Sequence, residues 1–240
     1  MPRSIWIVVP TFNEAANIEQ AIEAAMVALA QIGDTDPHVL IVDDSSPDGT
    51  GAIADRLAAA EPSIEVLHRT VREGLGPAYL AGFARALERG AELVFEMDAD
   101  LSHNPADIPR LVAAIDAGAD LALGSRYVDG GGVAEWGLLR RMISRAACLY
   151  ARLVLGLPIR DLTGGFKGFR RSVLEAIDLS TVRSHGYVFQ IELTLRAVRG
   201  GFRVVEVPIT FRDRERGKSK MSTGIALEAA WRVPRLRARR

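Results

Sequence analysis

Two aspartates one residue apart, Asp98 and Asp100, close the apolar run Leu93-Val94-Phe95-Glu96-Met97. A buried strand there delivers two carboxylates to its own C-terminal tip, with only Ala99 between them. In open α/β sheets, ligands bind outside the carboxyl ends of the strands. Two hard oxygen ligands on a short turn suit a Mg²⁺ or Mn²⁺ ion that also holds a diphosphate. Asp-x-Asp alone reads equally well as a loop of helix-capping aspartates. The other strand ends therefore decide between the two.

The elements that position this turn follow from the hydrophobic pattern. Ile5 to Val9, Val39 to Val42, Ile64 to Leu67, Leu93 to Met97 and Leu121 to Leu123 are short apolar runs that read as buried strands. Helical segments separate them: Glu14 to about Ile32 with Asn13 as N-cap, the stretch after Asp48-Gly49-Thr50, the stretch from the Arg72–Pro77 loop to Arg89, and Pro105 to Ala117. This alternation predicts an α/β fold, a mainly parallel central sheet with helices on both faces. Each strand ends in polar or charged residues: Thr11, Asn13 and Glu14; Asp43-Asp44; Asp98 and Asp100; Ser125-Arg126. One sheet edge is thus expected to carry the chemistry. Asp44 and the first βα turn suit a nucleoside, since carboxylates accept from base N–H groups and ribose hydroxyls. Gly74-Leu75-Gly76 permits close backbone approach to a ligand, or is simply a turn. No Gly-x-Gly-x-x-Gly follows the first strand and no phosphate-loop lysine motif occurs, which counts against a dinucleotide fold and a P-loop kinase.

Past Arg126 the regularity fails. Gly130-Gly131-Gly132 reads as a flexible joint. Trp136 to Gly156 is helical in pattern, with Arg140, Arg141, Arg145 and Arg152 interrupting apolar residues. It fits a basic amphipathic helix at a membrane interface, and equally a surface helix packed on the sheet. Gly186 to Arg199 reads as a helix and Phe202 to Val207 as a strand. Residues 1–120 hold 20 acidic and 7 basic side chains, and residues 121–240 hold 10 and 23, a split of −13 and +13. The basic half points to an anionic partner, or the halves neutralise each other. Its arginines are not interleaved with base-stacking aromatics, so no nucleic-acid partner is expected. The single cysteine, Cys148, excludes an internal disulfide, fits a reducing compartment and reads as a small buried apolar residue. No secretory signal is expected, and no run reaches the roughly 18–20 apolar residues of a membrane span.

The ordered set Pro10-Thr11-Phe12-Asn13-Glu14, Asp43 to Thr50, Gly74-Leu75-Gly76 and Asp98-Ala99-Asp100 resembles the family-2 glycosyltransferases of GT-A fold over nearly the whole chain. A nearer resemblance is to the dolichyl- or polyprenyl-phosphate mannose synthases. It is carried by Asp98 to Pro105, Gly124 to Tyr127, Asp161-Leu162-Thr163-Gly164-Gly165-Phe166-Lys167, Gly186 to Glu192 and Arg216 to Met221. The resemblance implies one GT-A domain over 1–240. Residues 1–126 would form the nucleotide-sugar and metal half, and 127–240 the acceptor-phosphate and membrane-facing half. It implies transfer of mannose from GDP-mannose to a polyprenyl or dolichyl phosphate, with Mg²⁺ or Mn²⁺ on Asp98 and Asp100. It also implies a nucleotide-sugar site of Pro10, Thr11, Asn13, Glu14, Val42, Asp44, Gly76, Asp98, Ala99, Asp100, Arg212 and Lys218. Arg126, Arg140 and Ser144 match positions that bind the acceptor phosphate, so Asp98, Asp100 and Arg126 are the candidate catalytic residues. Ser102 stands where many members have Gln, and water is expected to replace that ligand.

A sugar hydroxyl needs a base before it can attack, whereas a lipid monophosphate, with a second pKa near ~6, is mostly ionised at neutral pH. Such an acceptor needs positioning and opposite charge, which the basic half supplies. Single displacement then inverts the anomeric carbon. The basic, semi-apolar end Trp231 to Arg240 reads as a contact with anionic lipid heads or as a solvated tail. The expected location is peripheral, on the cytoplasmic face of a membrane, with a separate membrane-anchoring protein as a further partner. Competing readings keep the fold with a UDP-sugar donor, use a hydroxyl acceptor with Glu192 as base, or assign a nucleotide-binding or scaffolding role without catalysis.

Overall fold

The computed structural model describes residues 2–184, 186–213 and 223–238, with the backbone alone for 223–230. The alternating elements are present in the expected order. They are β1 (Arg3–Thr11), α1 (Ile18–Leu29), β2 (Thr35–Asp43), α2 (Thr50–Ala60), β3 (Ile64–His68), α3 (Leu75–Glu88), β4 (Leu93–Glu96), α4 (Ile108–Asp116) and β5 (Leu121–Ser125). After them come β6 (Gly132–Val133), α5 (Leu138–Leu155), β7 (Lys167–Arg170), α6 (Arg171–Ala176), α7 (Gly186–Arg199), β8 (Val204–Pro208), β9 (Thr210–Phe211) and α8 (Thr223–Ala238).

Seven strands form one sheet in the order β3-β2-β1-β4-β7-β5-β8, and β6 pairs with β9 beside it. The β1, β2, β3 and β4 pairings are parallel, as is β5 with β8. Only β7 runs antiparallel, to β4 on one side and β5 on the other. Because β7 reverses direction twice over, the C-terminal ends of β1, β2, β4 and β5 share one edge. The N-terminal end of β7 joins them there.

The strands alternate their side chains between two cores, as a strand buried on both faces must. In β1, Ile5, Ile7 and Val9 pack with Ile22 of α1 and Leu111 of α4, while Trp6 and Val8 pack with Phe83 of α3 and Phe189 of α7. A third cluster joins α5, α7 and α8 through Leu155, Leu195 and Leu236.

Two sequence expectations are corrected, and one strand is new. Asn13 does not cap α1: it adopts a left-handed backbone at φ 57, its N–H donates to Ser46 Oγ at 3.1 Å, and the helix begins at Ile18 with Asn17 in the cap position. Gly130-Gly131-Gly132 is a bonded turn, closed by Gly131 N–H to Val128 O and tied to Ile209 O through Gly132 N–H. The central antiparallel strand β7 carries no apolar run and was not expected.

Gly168 of β7 lies against the Phe95 ring of β4, where an added Cβ would come within 2.2 Å of a ring carbon. Both neighbours belong to the centre of the sheet, so neither can retreat. Gly168→Ala is expected to lower stability by about 1–3 kcal/mol through overpacking. An unchanged urea midpoint would contradict this packing.

Candidate functional site

The strand ends enclose a cavity of about 280 Å³. Of the residues singled out above, Pro10, Thr11, Glu14, Asp44, Asp98, Ala99, Asp100, Arg126 and Arg140 line it. Val42 is fully buried in β2 and does not reach it. Gly76 packs against α7 instead, where a Cβ would meet Ser184 O at 3.0 Å and Phe189 at 3.3 Å. Gly74, at φ 95, forms the wall and opens α3. Asn13, Ser144 and Arg212 also stand outside the lining, and Lys218 lies outside the described residues.

The first wall is acidic and pinned. Asp44 is buried, and its carboxylate accepts from Arg69 Nη1 and from Gly74 N–H at 2.8 Å, which fixes the 69–74 loop on the end of β2. Burial tends to raise the Asp48 pKa. Hydrogen bonds from Thr50 and Ala15 outweigh it and hold this carboxyl below the usual range. Asp98 accepts from the fully buried Tyr79 phenol at 3.1 Å, and Asp100 accepts from Ser102 N–H at 3.0 Å. Three non-glycine residues at these strand ends hold left-handed backbones: Asn13, Ser45 and Leu101. Each costs about 1 kcal/mol or more, which the surrounding packing must offset.

His103 stands behind the two aspartates. Its ring stacks on Phe166 at 5.0 Å, and its Nδ1 accepts from Asp98 N–H at 3.4 Å. Burial pushes its pKa down to about 4, so the ring stays neutral near pH 7. Beneath the turn lies a fully buried ion pair, Glu96–Lys167, at 3.2 Å. Gln190 bridges it, accepting from Lys167 Nζ and donating to Glu96 Oε2 at 3.3 Å. Burial drives the Glu96 pKa up and the Lys167 pKa down.

The opposite wall is basic. Arg126 leaves the end of β5 and forks onto Asp161 through Nε and Nη2, both at 2.7 Å, while Nη2 also reaches Thr163 Oγ1 at 2.8 Å. The pair is 6% and 0% exposed. Burial opposes both charges, but each partner offsets it, so Asp161 stays below the usual carboxyl range and Arg126 stays charged. Among the described residues, Arg126 Nη1 carries no hydrogen bond. Tyr127, Trp136 and Phe211 surround the guanidinium at 5.2–5.6 Å. Arg140 of α5 lies 4.1 Å over Trp136 and pairs with Asp213 at 2.7 Å. Ser144 accepts from Tyr127 Oη at 2.6 Å, so it holds Tyr127 in place. Cys148 is buried beside Thr163 at 3.3 Å, and burial raises its thiol to about 11.

Sequence reasoning missed several lining residues because nothing in their local pattern marks them as part of a site. Arg72 stacks 3.7 Å over Phe12, making a flat platform, and Trp136, Tyr187 and Phe211 line the basic side. Glu192, the candidate base for a hydroxyl acceptor, does not line the cavity. It is buried and accepts from Arg196 Nε at 3.0 Å.

The donor set at the acidic wall fits a divalent ion. Asp98 and Asp100 both face the cavity, and Ser102 Oγ is buried beside them with no hydrogen-bond partner among the described residues. Those residues hold no group of three or more His, Cys, Asp or Glu arranged for a metal. Two carboxylates alone leave coordination positions to water and phosphate oxygens, the arrangement Mg²⁺ accepts most readily.

On its outer side, α5 turns apolar residues away from the core. Leu138, Leu139, Met142, Ile143, Leu149, Tyr150 and Leu153 are 38–74% exposed. At 3.6 residues per turn they span an arc of about 140°. Arg141, Arg145 and Arg152 form the adjoining strip, and Cys148, Ala151 and Leu155 form the buried face. No described helix is long and apolar enough to cross a membrane.

A family model described as glycosyl transferase family 2 matches residues 6–178. The chain is 52% identical over 228 residues to the polyprenol monophosphomannose synthase of Mycolicibacterium smegmatis, covering 95% of this chain and 84% of that protein. It is 50% identical over 233 residues to the undecaprenyl-phosphate mannosyltransferase of Micrococcus luteus, covering 96% and 93%. In fold it is similar to the Mycobacterium tuberculosis glucosyl-3-phosphoglycerate synthase crystallised with Mn²⁺, UDP and glucosyl-3-phosphoglycerate. There the TM-score is 0.65 at 20% identity, over 98% of this chain and 77% of that one.

Asp161→Asn leaves the Arg126 charge buried without its counter-ion and is expected to cost about 3–5 kcal/mol. Arg126→Met together with Asp161→Asn is expected to cost less than the single change, because no uncompensated charge remains. Denaturant unfolding of both variants measures the difference.

Proposed function

The chain belongs to glycosyl transferase family 2, and from that premise we propose that it transfers mannose from GDP-mannose to a polyprenyl monophosphate with inversion at the anomeric carbon. One observation carries the acceptor assignment. Among the described residues, every carboxylate lining the cavity, Glu14, Asp44, Asp98 and Asp100, comes from the N-terminal half. The lining from Gly124 onward contributes Arg126 and Arg140 and no carboxylate. A hydroxyl acceptor would want a base on that side, whereas an ionised phosphate wants cations and no base. The names of the two half-identical relatives agree with this acceptor and this sugar.

Each wall has its part in the transfer. The Arg72–Phe12 platform and Asp44 take the base and ribose of the donor. Asp98 and Asp100 would hold a divalent ion, Mg²⁺ or Mn²⁺, which would supply positive charge against the departing diphosphate. Tyr79 and the Ser102 amide keep the two carboxylates aimed. Arg126 and Arg140 seat the acceptor phosphate, with Ser144 acting on it through Tyr127. Trp136 and Phe211 exclude water around Arg126, which strengthens its pull on the anion. The two halves of the chain act as one domain, since neither wall suffices alone.

The acceptor is a membrane lipid, so the enzyme must work at a membrane surface. The exposed face of α5, beside the basic wall, is suited to lie on that surface.

Incubation with Mg²⁺, a short polyprenyl phosphate and labelled GDP-mannose or UDP-glucose in parallel is expected to give organic-phase label from GDP-mannose alone. Label from UDP-glucose alone would overturn the donor, and an α-linked product by NMR would overturn inversion. Asp100→Asn is expected to lower turnover by about 10²-fold or more. Met142→Asp with Leu153→Asp is expected to slow transfer to vesicle-borne acceptor by about ten-fold while sparing a short soluble acceptor. Equal rates on both acceptors would remove α5 from the membrane contact.

A further inference from the structure

A second hollow, of about 220 Å³, lies against α5 beside the reaction cavity. Tyr127, Arg145, Cys148, Leu149, Arg152 and Arg160 line it. It gathers three guanidinium groups and no carboxylate. Among the described residues, neither Arg145 nor Arg152 forms an ion pair. The Arg160 guanidinium reaches only Asp129 among them, at 3.4 Å, and that carboxylate is fully solvent-exposed. Arg145 rests 5.7 Å from the Tyr127 ring centre. Like charges converging on one concavity repel one another unless an anion joins them.

The place of the hollow narrows the anion. Arg145 and Arg152 stand on the strip of α5 that borders its exposed apolar stripe, and Leu149 belongs to both stripe and hollow. With the stripe laid on a bilayer, the hollow opens at the level of the lipid phosphates. Guanidinium forks match phosphate oxygens in pairs, which makes arginine the residue for that recognition. We propose that this hollow binds the phosphate headgroup of an anionic membrane lipid, a second lipid site distinct from that of the acceptor. The inference rests on the membrane reading of α5 given above.

The two cavities are close neighbours. Cys148 lines the hollow and Thr163 the reaction cavity, and their side chains meet at 3.3 Å. The buried thiol stays protonated at neutral pH, so it adds no negative charge to the floor of the hollow. A headgroup seated there holds the helix that also carries Arg140.

The test is vesicle flotation of the full chain, using phosphatidylcholine alone or mixed with phosphatidylglycerol. The wild type is expected to prefer the anionic vesicles. Arg145→Gln with Arg152→Gln is expected to weaken that binding by about thirty-fold, the joint share of two basic residues at an anionic surface. Arg145→Lys with Arg152→Lys keeps the charge but not the forks, and is expected to lose most of the preference. Equal binding of both vesicle types by the wild type overturns the proposal. So does a lysine pair that binds as the wild type does, which would mean diffuse charge rather than a fitted site. Protection of the wild type alone against heat by inorganic phosphate, without vesicle discrimination, would assign the hollow to a free anion and overturn the lipid source. Transfer to a short acceptor in detergent is expected to be unchanged in both pairs. Loss of that transfer would make the hollow part of the acceptor site and also overturn the proposal. If the wild type floats as expected but transfers no sugar, the functional reading fails and the lipid site stands.

Discussion

The buried fork between Arg126 and Asp161 is the interaction on which the basic half of the molecule depends. Asp161 also accepts the Arg126 backbone N–H at 3.0 Å, so it holds the end of β5 as well as the side chain. Glu206 of β8 accepts from Asp161 N–H, Arg160 N–H and Ser125 Oγ within 2.7–2.9 Å. The end of β5, the 160–163 loop and β8 thus converge on one set of charge-assisted bonds. A pair so deeply buried adds little net stability, because desolvation consumes most of its attraction. Its value is positional. It holds a cation at a fixed point in an apolar, aromatic setting where water would otherwise screen it.

The acidic half is organised by a different constraint, the reversed strand β7. A parallel β4–β5 pairing would bring no loop of the chain between them at the site edge. With β7 inserted antiparallel, Thr163, Gly164 and Gly165 arrive between the two aspartates and Arg126. The cost is a charged lysine at the first position of a central strand. Glu96 and Gln190 answer that charge, and Gln190 also forms part of the cavity wall. The ion pair therefore links the metal-motif strand to α7, the helix that carries Tyr187.

Much of this was legible in the chain. Strands β1 to β5 each carry a short, mostly apolar run because the sheet is covered on both faces, and their polar ends mark the functional edge. Asp98, Asp100 and Arg126 were visible for that reason. What escaped notice depends on contacts distant in sequence. Strand β7 is four residues long, begins with Lys and includes Gly, and only its pairing with β4 and β5 makes it a strand. Asp161 lies 35 residues from the arginine it holds. Asn13 has the side chain of a cap, but the Ser46 hydroxyl takes its N–H and turns the backbone the other way. Tyr79 and Trp136 fall in stretches of helical pattern that carry no mark of a site, and only the fold puts the Tyr79 hydroxyl on Asp98 and the Trp136 ring under Arg140.

The left-handed turns at Asn13, Ser45 and Leu101 are held by the protein's own hydrogen bonds: Asn13 N–H to Ser46 Oγ, Ser46 N–H to Asp43 Oδ2 and Ser102 N–H to Asp100 Oδ1. The folding free energy of the two cores has met the cost of holding them. A donor entering here has no ordering of these three turns to drive, so their share of the binding entropy is spent in advance. Calorimetrically, this part of the encounter belongs to enthalpy, that of oxygen atoms meeting donors and ions in positions that do not move.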